Sequence, residues 1–181
     1  MKMTDEELLD LLRNPQSRRK GFDLMVRQYG EQLYWKIRHV VISHEDADDI
    51  LQNTFLKAWV NFDSFEFRSK LSSWLFRIAI NESLDFLRRQ STAAKVRGVD
   101  NGQMAERLMA DEWFDGDLTQ ARLQQAVSQL PDVQRTIFPL RYFNDMKYKD
   151  IAQALGRSEG AIKASYHIAV QKITAFFHQF D

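Results

Sequence analysis

Asp46-Ala47-Asp48-Asp49-Ile50-Leu51-Gln52-Asn53-Thr54-Phe55-Leu56-Lys57-Ala58-Trp59 is the stretch whose periodicity decides the fold class. Ala47, Ile50, Leu51, Thr54, Phe55, Ala58 and Trp59 recur at the i, i+3, i+4, i+7 spacing of one helical face, and the opposite face reads as polar. The same period extends outward in both directions. Toward the N-terminus, Thr4 followed by Glu7 forms a capping box that opens a helix through Leu8, Leu9, Leu11 and Leu12, and Asn14-Pro15 stops it. Phe22, Met25, Val26 and Tyr29 make one apolar stripe; Leu33, Ile37, Val40 and Val41 make another after Gly30, with a break at Ser43-His44. No stretch alternates as a strand would, and 7 Gly and 3 Pro leave little to interrupt helices, so the expected fold is all-α.

Residues 91 to 117 lack sustained periodicity and contain Gly98, Gly102 and Gly116, which marks a linker. Beyond it Leu118 to Leu130 reads as a helix, and Pro131-Asp132 opens another in which Pro139 predicts a kink or a start. Ile151-Ala152-Gln153-Ala154-Leu155-Gly156, a turn through Arg157, and a helix begun by Ser158 have the layout of a helix-turn-helix. In its second helix Ala161, Ile162, Tyr166, Ala169 and Ile173 are expected to face inward. The expected architecture is two small helical domains, residues 1–92 and 118–181, joined by a flexible acidic linker over 93–117.

Formal charge is zero over the chain, but its distribution is uneven. Residues 63–99 carry 7 basic and 4 acidic side chains, residues 100–120 carry 1 and 6, and residues 121–181 carry 8 and 5. Two mildly basic stretches therefore flank an acidic one, which suits contact with nucleic acid at two places. The absence of Cys excludes disulfides and thiolate metal sites and fits a reducing cytosol. No apolar run approaches a membrane span, and the acidic start is unlike a signal peptide, so a cytoplasmic location is expected. His44-Glu45-Asp46-Ala47-Asp48-Asp49 lacks metal-ligand spacing, and neither a nucleophile elbow nor a Gly-rich phosphate loop is present; no metal, cofactor or enzymatic activity is expected.

Two stretches, in order, resemble two parts of one family, the extracytoplasmic-function sigma factors of bacterial RNA polymerase. Asp46 to Trp59, then Phe65 and Trp74-Leu75-Phe76-Arg77-Ile78-Ala79-Ile80-Asn81, are similar to region 2, which melts promoters. Leu130-Pro131-Asp132-Val133-Gln134-Arg135, Leu140-Arg141-Tyr142-Phe143 and the helix-turn-helix through Lys172 are similar to region 4, which reads the minus-thirty-five element. The resemblance implies a transcription initiation factor. Its partners would be promoter DNA and core polymerase, through the clamp helices of the largest subunit and through the second-largest subunit, with an anti-sigma factor as a further possible partner. A stand-alone helix-turn-helix regulator is the alternative, and it leaves the aromatic and basic stretch 62–89 without a use.

The resemblance places Asp49, Gln52, Asn53 and Leu56 on the polymerase-binding face. It places Phe65, Arg68, Ser69 and Lys70 around an extruded minus-ten base, with Arg77 and Asn81 on the following helix; this chain has Phe67-Arg68 where the family often has Gly-Asp. Catching an unstacked strand takes aromatic faces and cations, and this segment supplies both. On the second helix of the helix-turn-helix, Lys163, Ala164 and His167 lie opposite the inward stripe and are the candidate base readers. Arg157, Ser165, Gln171 and Lys172 are candidate phosphate contacts, and Ser158 is the expected N-cap. The acidic 100–120 segment is expected either to tether the domains or to thread a positively lined polymerase cleft.

Overall fold

A computed structural model describes residues 3–41, 43–65, 70–97 and 118–179, and every regular element among them is helical. The linker expectation falls mostly on 98–117, outside the described residues. Helix α1 (Asp5–Arg13) opens with the anticipated capping box, Thr4 accepting from Glu7 N–H at 3.2 Å while the Glu7 carboxylate accepts from Thr4 N–H at 2.8 Å. Helix α2 (Arg18–Arg38) runs unbroken through Gly30, where two separate stripes were expected. Met25, Tyr29, Leu33 and Ile37 form one continuous buried line at a spacing of four, and that burial outweighs the roughly 1 kcal/mol a helical glycine costs. Gly21 is needed where α2 crosses the end of α1, since a Cβ there would lie 2.8 Å from Leu11 Cβ.

Ser43 caps α3 (His44–Asn61) by accepting from Asp46 N–H at 3.3 Å. A single 3-10 turn at Phe62–Ser64 follows, and then α4 (Leu71–Arg97), which continues past residue 92, where the first domain was expected to end. α1 to α4 pack around Leu8, Leu12, Met25, Ile37, Ala47, Ile50, Leu71, Leu75 and Ala79. Trp74 and Ile78 are partly buried and pack against this core beside Leu75.

The C-terminal bundle comprises α5 (Leu118–Ser128), α6 (Asp132–Tyr142), α7 (Tyr148–Leu155) and α8 (Glu159–Phe177). Pro139 lies inside α6 and does not start it; the proline faces the core and its carbonyl accepts from Phe143 N–H at 3.1 Å. Gly156 ends α7 in the left-handed region at φ 62°, and Arg157 N–H donates to Ala152 O at 2.9 Å to close the turn. The bundles touch where the end of α2 meets the α6–α7 turn. The His39 ring stacks on Phe143 with centroids 4.3 Å apart, and Asn144 Nδ2 donates to Lys36 O at 3.3 Å. Arg88 of α4 also reaches Ala154 O at 3.4 Å.

Candidate nucleic-acid and polymerase interfaces

Three exposed surfaces emerge from this packing. On α3, Asp49, Gln52, Asn53 and Leu56 follow the spacing of one face and all four are exposed, as the sequence led us to expect. The face is less polar than expected. Leu56 is 62% exposed, and Val60, one turn further on, is 74% exposed. Sequence reasoning passed over Val60, although an apolar residue at i+4 from Leu56 on an otherwise polar side was the available signal. Trp59, expected in the core, is 39% exposed because it lies off the buried line of α3. It rests edge-on against Phe22 at 4.9 Å, with the Arg18 guanidinium 5.4 Å from its ring. Lys57 pairs with Glu82, joining α3 to α4 beside this surface.

The second surface lies along α4. Lys70, immediately before the helix, and Arg77 and Asn81 within it are exposed. At about 100° per residue these positions fall within about 20° of one line down the helix. Arg88 lies on the same line but is engaged by Asp85 at 2.9 Å and by Ala154 O. Phe65 does not join them. It is 4% exposed, packed 5.0 Å from Trp74 and 6.5 Å from Phe62, so it buttresses the entrance of the segment and does not present a ring for stacking. Its apolar neighbours on both sides of the turn explain why burial wins over exposure. Arg68 and Ser69 lie outside the described residues.

The third surface is the outer face of α8. Ser158 Oγ accepts from Ala161 N–H at 3.2 Å, the N-cap the sequence predicted. Ile162, Ala169 and Ile173 are buried, with Tyr166 stacked 5.8 Å from Phe138. Ala161, expected inward, is exposed, because it lies about 100° around the helix from Ile162 and off the buried stripe. Lys163, Ala164 and His167 are exposed on the opposite face, Ser165 is half-buried at the edge of the buried stripe with the exposed Lys172 on that same side, and Arg157 is exposed in the turn. Lys163 pairs with Glu159 at 2.7 Å, and this hydrogen bond raises the lysine pKa, keeping the ammonium charged. Gln171 and His167 side chains meet at 3.2 Å, so the two present as one polar unit.

Residues 25–92 match the family model of sigma-70 region 2, and residues 120–173 match that of sigma-70 region 4. The chain is 30% identical over 156 residues to the ECF RNA polymerase sigma factor SigW of Bacillus subtilis, covering 81% of this chain and 83% of that protein. It is also 30% identical over 180 residues to the RNA polymerase sigma factor NccH of Alcaligenes xylosoxydans, covering 96% of each. Among solved structures, the sigma factor RpoE of Bartonella quintana in complex with the anti-sigma factor NepR is similar. Its TM-score is 0.64 at 25% identity, over 88% of this chain and 98% of that one.

Proposed function

The chain belongs to the sigma-70 family of RNA polymerase sigma factors, in its extracytoplasmic-function branch, and from that membership we propose how its surfaces divide the work of initiation. The family role is to bring core polymerase to promoters. The observation that carries the division of labour is the separation of two exposed polar and basic faces, one along α4 and one on α8, on two distinct bundles of one chain. A stand-alone regulator would need only the second. Residues 1–92 form the unit that holds polymerase and opens the duplex, 93–117 the connection, and 118–181 the unit that reads the minus-thirty-five element.

Asp49, Gln52, Asn53 and Leu56, extended by Val60, meet the clamp helices of the largest polymerase subunit; the exposed leucine and valine supply apolar area that is dry only in the complex. The second-largest subunit is the further polymerase contact. Lys70, Arg77 and Asn81 take the minus-ten strand with Arg68 and Ser69 of the preceding segment, and Phe65 holds the stem of that segment from within. In the major groove, Lys163, Ala164 and His167 approach base edges, while Arg157, Ser165, Gln171 and Lys172 meet phosphates and Ser158 fixes the helix start. RNA synthesis itself is the polymerase's chemistry, and the chain works in the cytoplasm where polymerase is found. No helix among the described residues is long and apolar enough to cross a membrane. An anti-sigma factor, the kind of partner bound to the similar Bartonella protein, is the candidate regulator.

Run-off transcription from a genomic promoter library, with core polymerase alone and with core plus this chain, tests the reading. Promoter-specific transcripts that vanish with Asn81→Ala or Lys163→Ala support it. Absence of new transcripts from active core, together with duplex DNA shifted by the chain alone, would move the assignment to the stand-alone regulator.

A further inference from the structure

Among the described residues, helix α4 begins without a side-chain cap from its own segment. Lys70, the residue before it, accepts through its carbonyl from Ser73 N–H and Trp74 N–H at 3.1 Å each, but an ammonium side chain has no acceptor to offer the first free amides. A cation at this end also meets the positive pole of the helix dipole, where Ser, Thr, Asp or Asn is the ordinary choice. The missing acceptor comes from α1. Leu71 N–H donates to Asp5 Oδ2 at 3.0 Å, across 66 positions of sequence, while Asp5 Oδ1 accepts from the Tyr29 hydroxyl of α2.

Asp5 is itself firmly held. Met3 and Gln28 exchange two hydrogen bonds of 2.9 Å, and Leu8 and Leu12 are buried in the bundle below. One carboxylate thus joins α1, α2 and the first turn of α4.

We propose that Asp5 is a positioning residue for the minus-ten face: it supplies from α1 the cap that Lys70 cannot, so that a cation can occupy the mouth of α4 while the helix start stays fixed. The inference rests on the assignment of Lys70, Arg77 and Asn81 to the minus-ten strand. Fraying of the first turn displaces Lys70 most and Asn81, three turns deeper, least. Loss of Asp5 is therefore coupled to Lys70 and independent of Asn81. A role confined to general stability has no such preference.

The test uses holoenzyme reconstituted from core polymerase and the full chain. The readout is its affinity for a fork-junction DNA with a single-stranded minus-ten segment, taken from a promoter the run-off screen selects. Asp5→Ala is expected to weaken binding about tenfold. Core affinity stays unchanged, as does the loss caused by Asn81→Ala, whichever residue is at position 5. Asp5→Asn keeps an acceptor for Leu71 N–H and stays within about twofold of the natural chain. In a Lys70→Ala background Asp5→Ala adds nothing.

Leu8→Ala, which loosens α1 without touching the cap, is the control. The proposal falls if Asp5→Ala has no effect where Lys70→Ala does, if the two losses simply add, or if Leu8→Ala reproduces the defect. Should Lys70→Ala and Asn81→Ala both leave fork binding unchanged, the minus-ten assignment falls and takes this proposal with it.

Discussion

Truncating the apolar ridge on α3 should separate polymerase binding from folding. Burying a whole leucine side chain contributes about 1.5–3 kcal/mol. Leu56 is 62% exposed in the free chain, so covering it in a complex contributes roughly 1–2 kcal/mol, most of which Leu56→Ala removes. Val60 is smaller but 74% exposed, and its truncation adds a loss of about 1 kcal/mol or less. Together they amount to about 2 kcal/mol, or roughly thirtyfold in Kd. Neither side chain supports the core, so the melting temperature of the double variant should match that of the natural chain. Competition against a fluorescently labelled natural chain for core polymerase measures the effect, with thermal unfolding as the parallel readout. A double variant that competes within about twofold of the natural chain would refute the assignment of this face.

Gly156→Ala places a Cβ in open space but forces the left-handed backbone at φ 62° on a residue that resists it. The cost is about 1 kcal/mol, seen as a fall of about 2–4 °C in the thermal unfolding of the chain. Burial, with the Asp5 hydrogen bond next, raises the Tyr29 pKa to about 12 from an ordinary 10. The protonated phenol is favoured in the folded state, so its contribution is complete below pH 10 and is lost as pH rises toward 12; Tyr29→Phe should remove that part of the alkaline slope in a pH series of melting temperatures. His39 is shifted the other way, its pKa lowered by burial and then by the charges of Arg38 and Lys36. Its neutral ring stacks on Phe143, so the contact between the bundles is intact above the ordinary histidine pKa and weakens as pH falls below it. Small-angle scattering of the free chain should show expansion on acidification, which His39→Phe abolishes; an expansion that persists in that variant would exclude the histidine as its cause.

Much of the fold was legible because helix signals are local. The Thr4–Glu7 capping box, the Asn14-Pro15 stop, the Ser158 cap and the Gly156 turn each depend on a few adjacent residues, and each stands where the sequence put it. The exposed faces of α3 and α8 were legible for the same reason, since helical spacing fixes which residues share a side. The misreadings came where neighbours decide. Gly30 did not divide α2, because the buried line Tyr29, Leu33 and Ile37 belongs to a core contributed by α1, α3 and α4. The family resemblance placed Phe65 at the DNA, yet Phe62 and Trp74, brought beside it by the fold, enclose it.

The order of helices, the helix-turn-helix and the family were determined by the sequence by itself, since periodicity, caps and motif order are properties of neighbouring residues along the chain. Which aromatic rings were spent on the core, and that Asp5 serves an amide 66 positions away, came instead from how the helices pack. Burial and long-range hydrogen bonds depend on distances between helices, and those are set when the whole bundle packs.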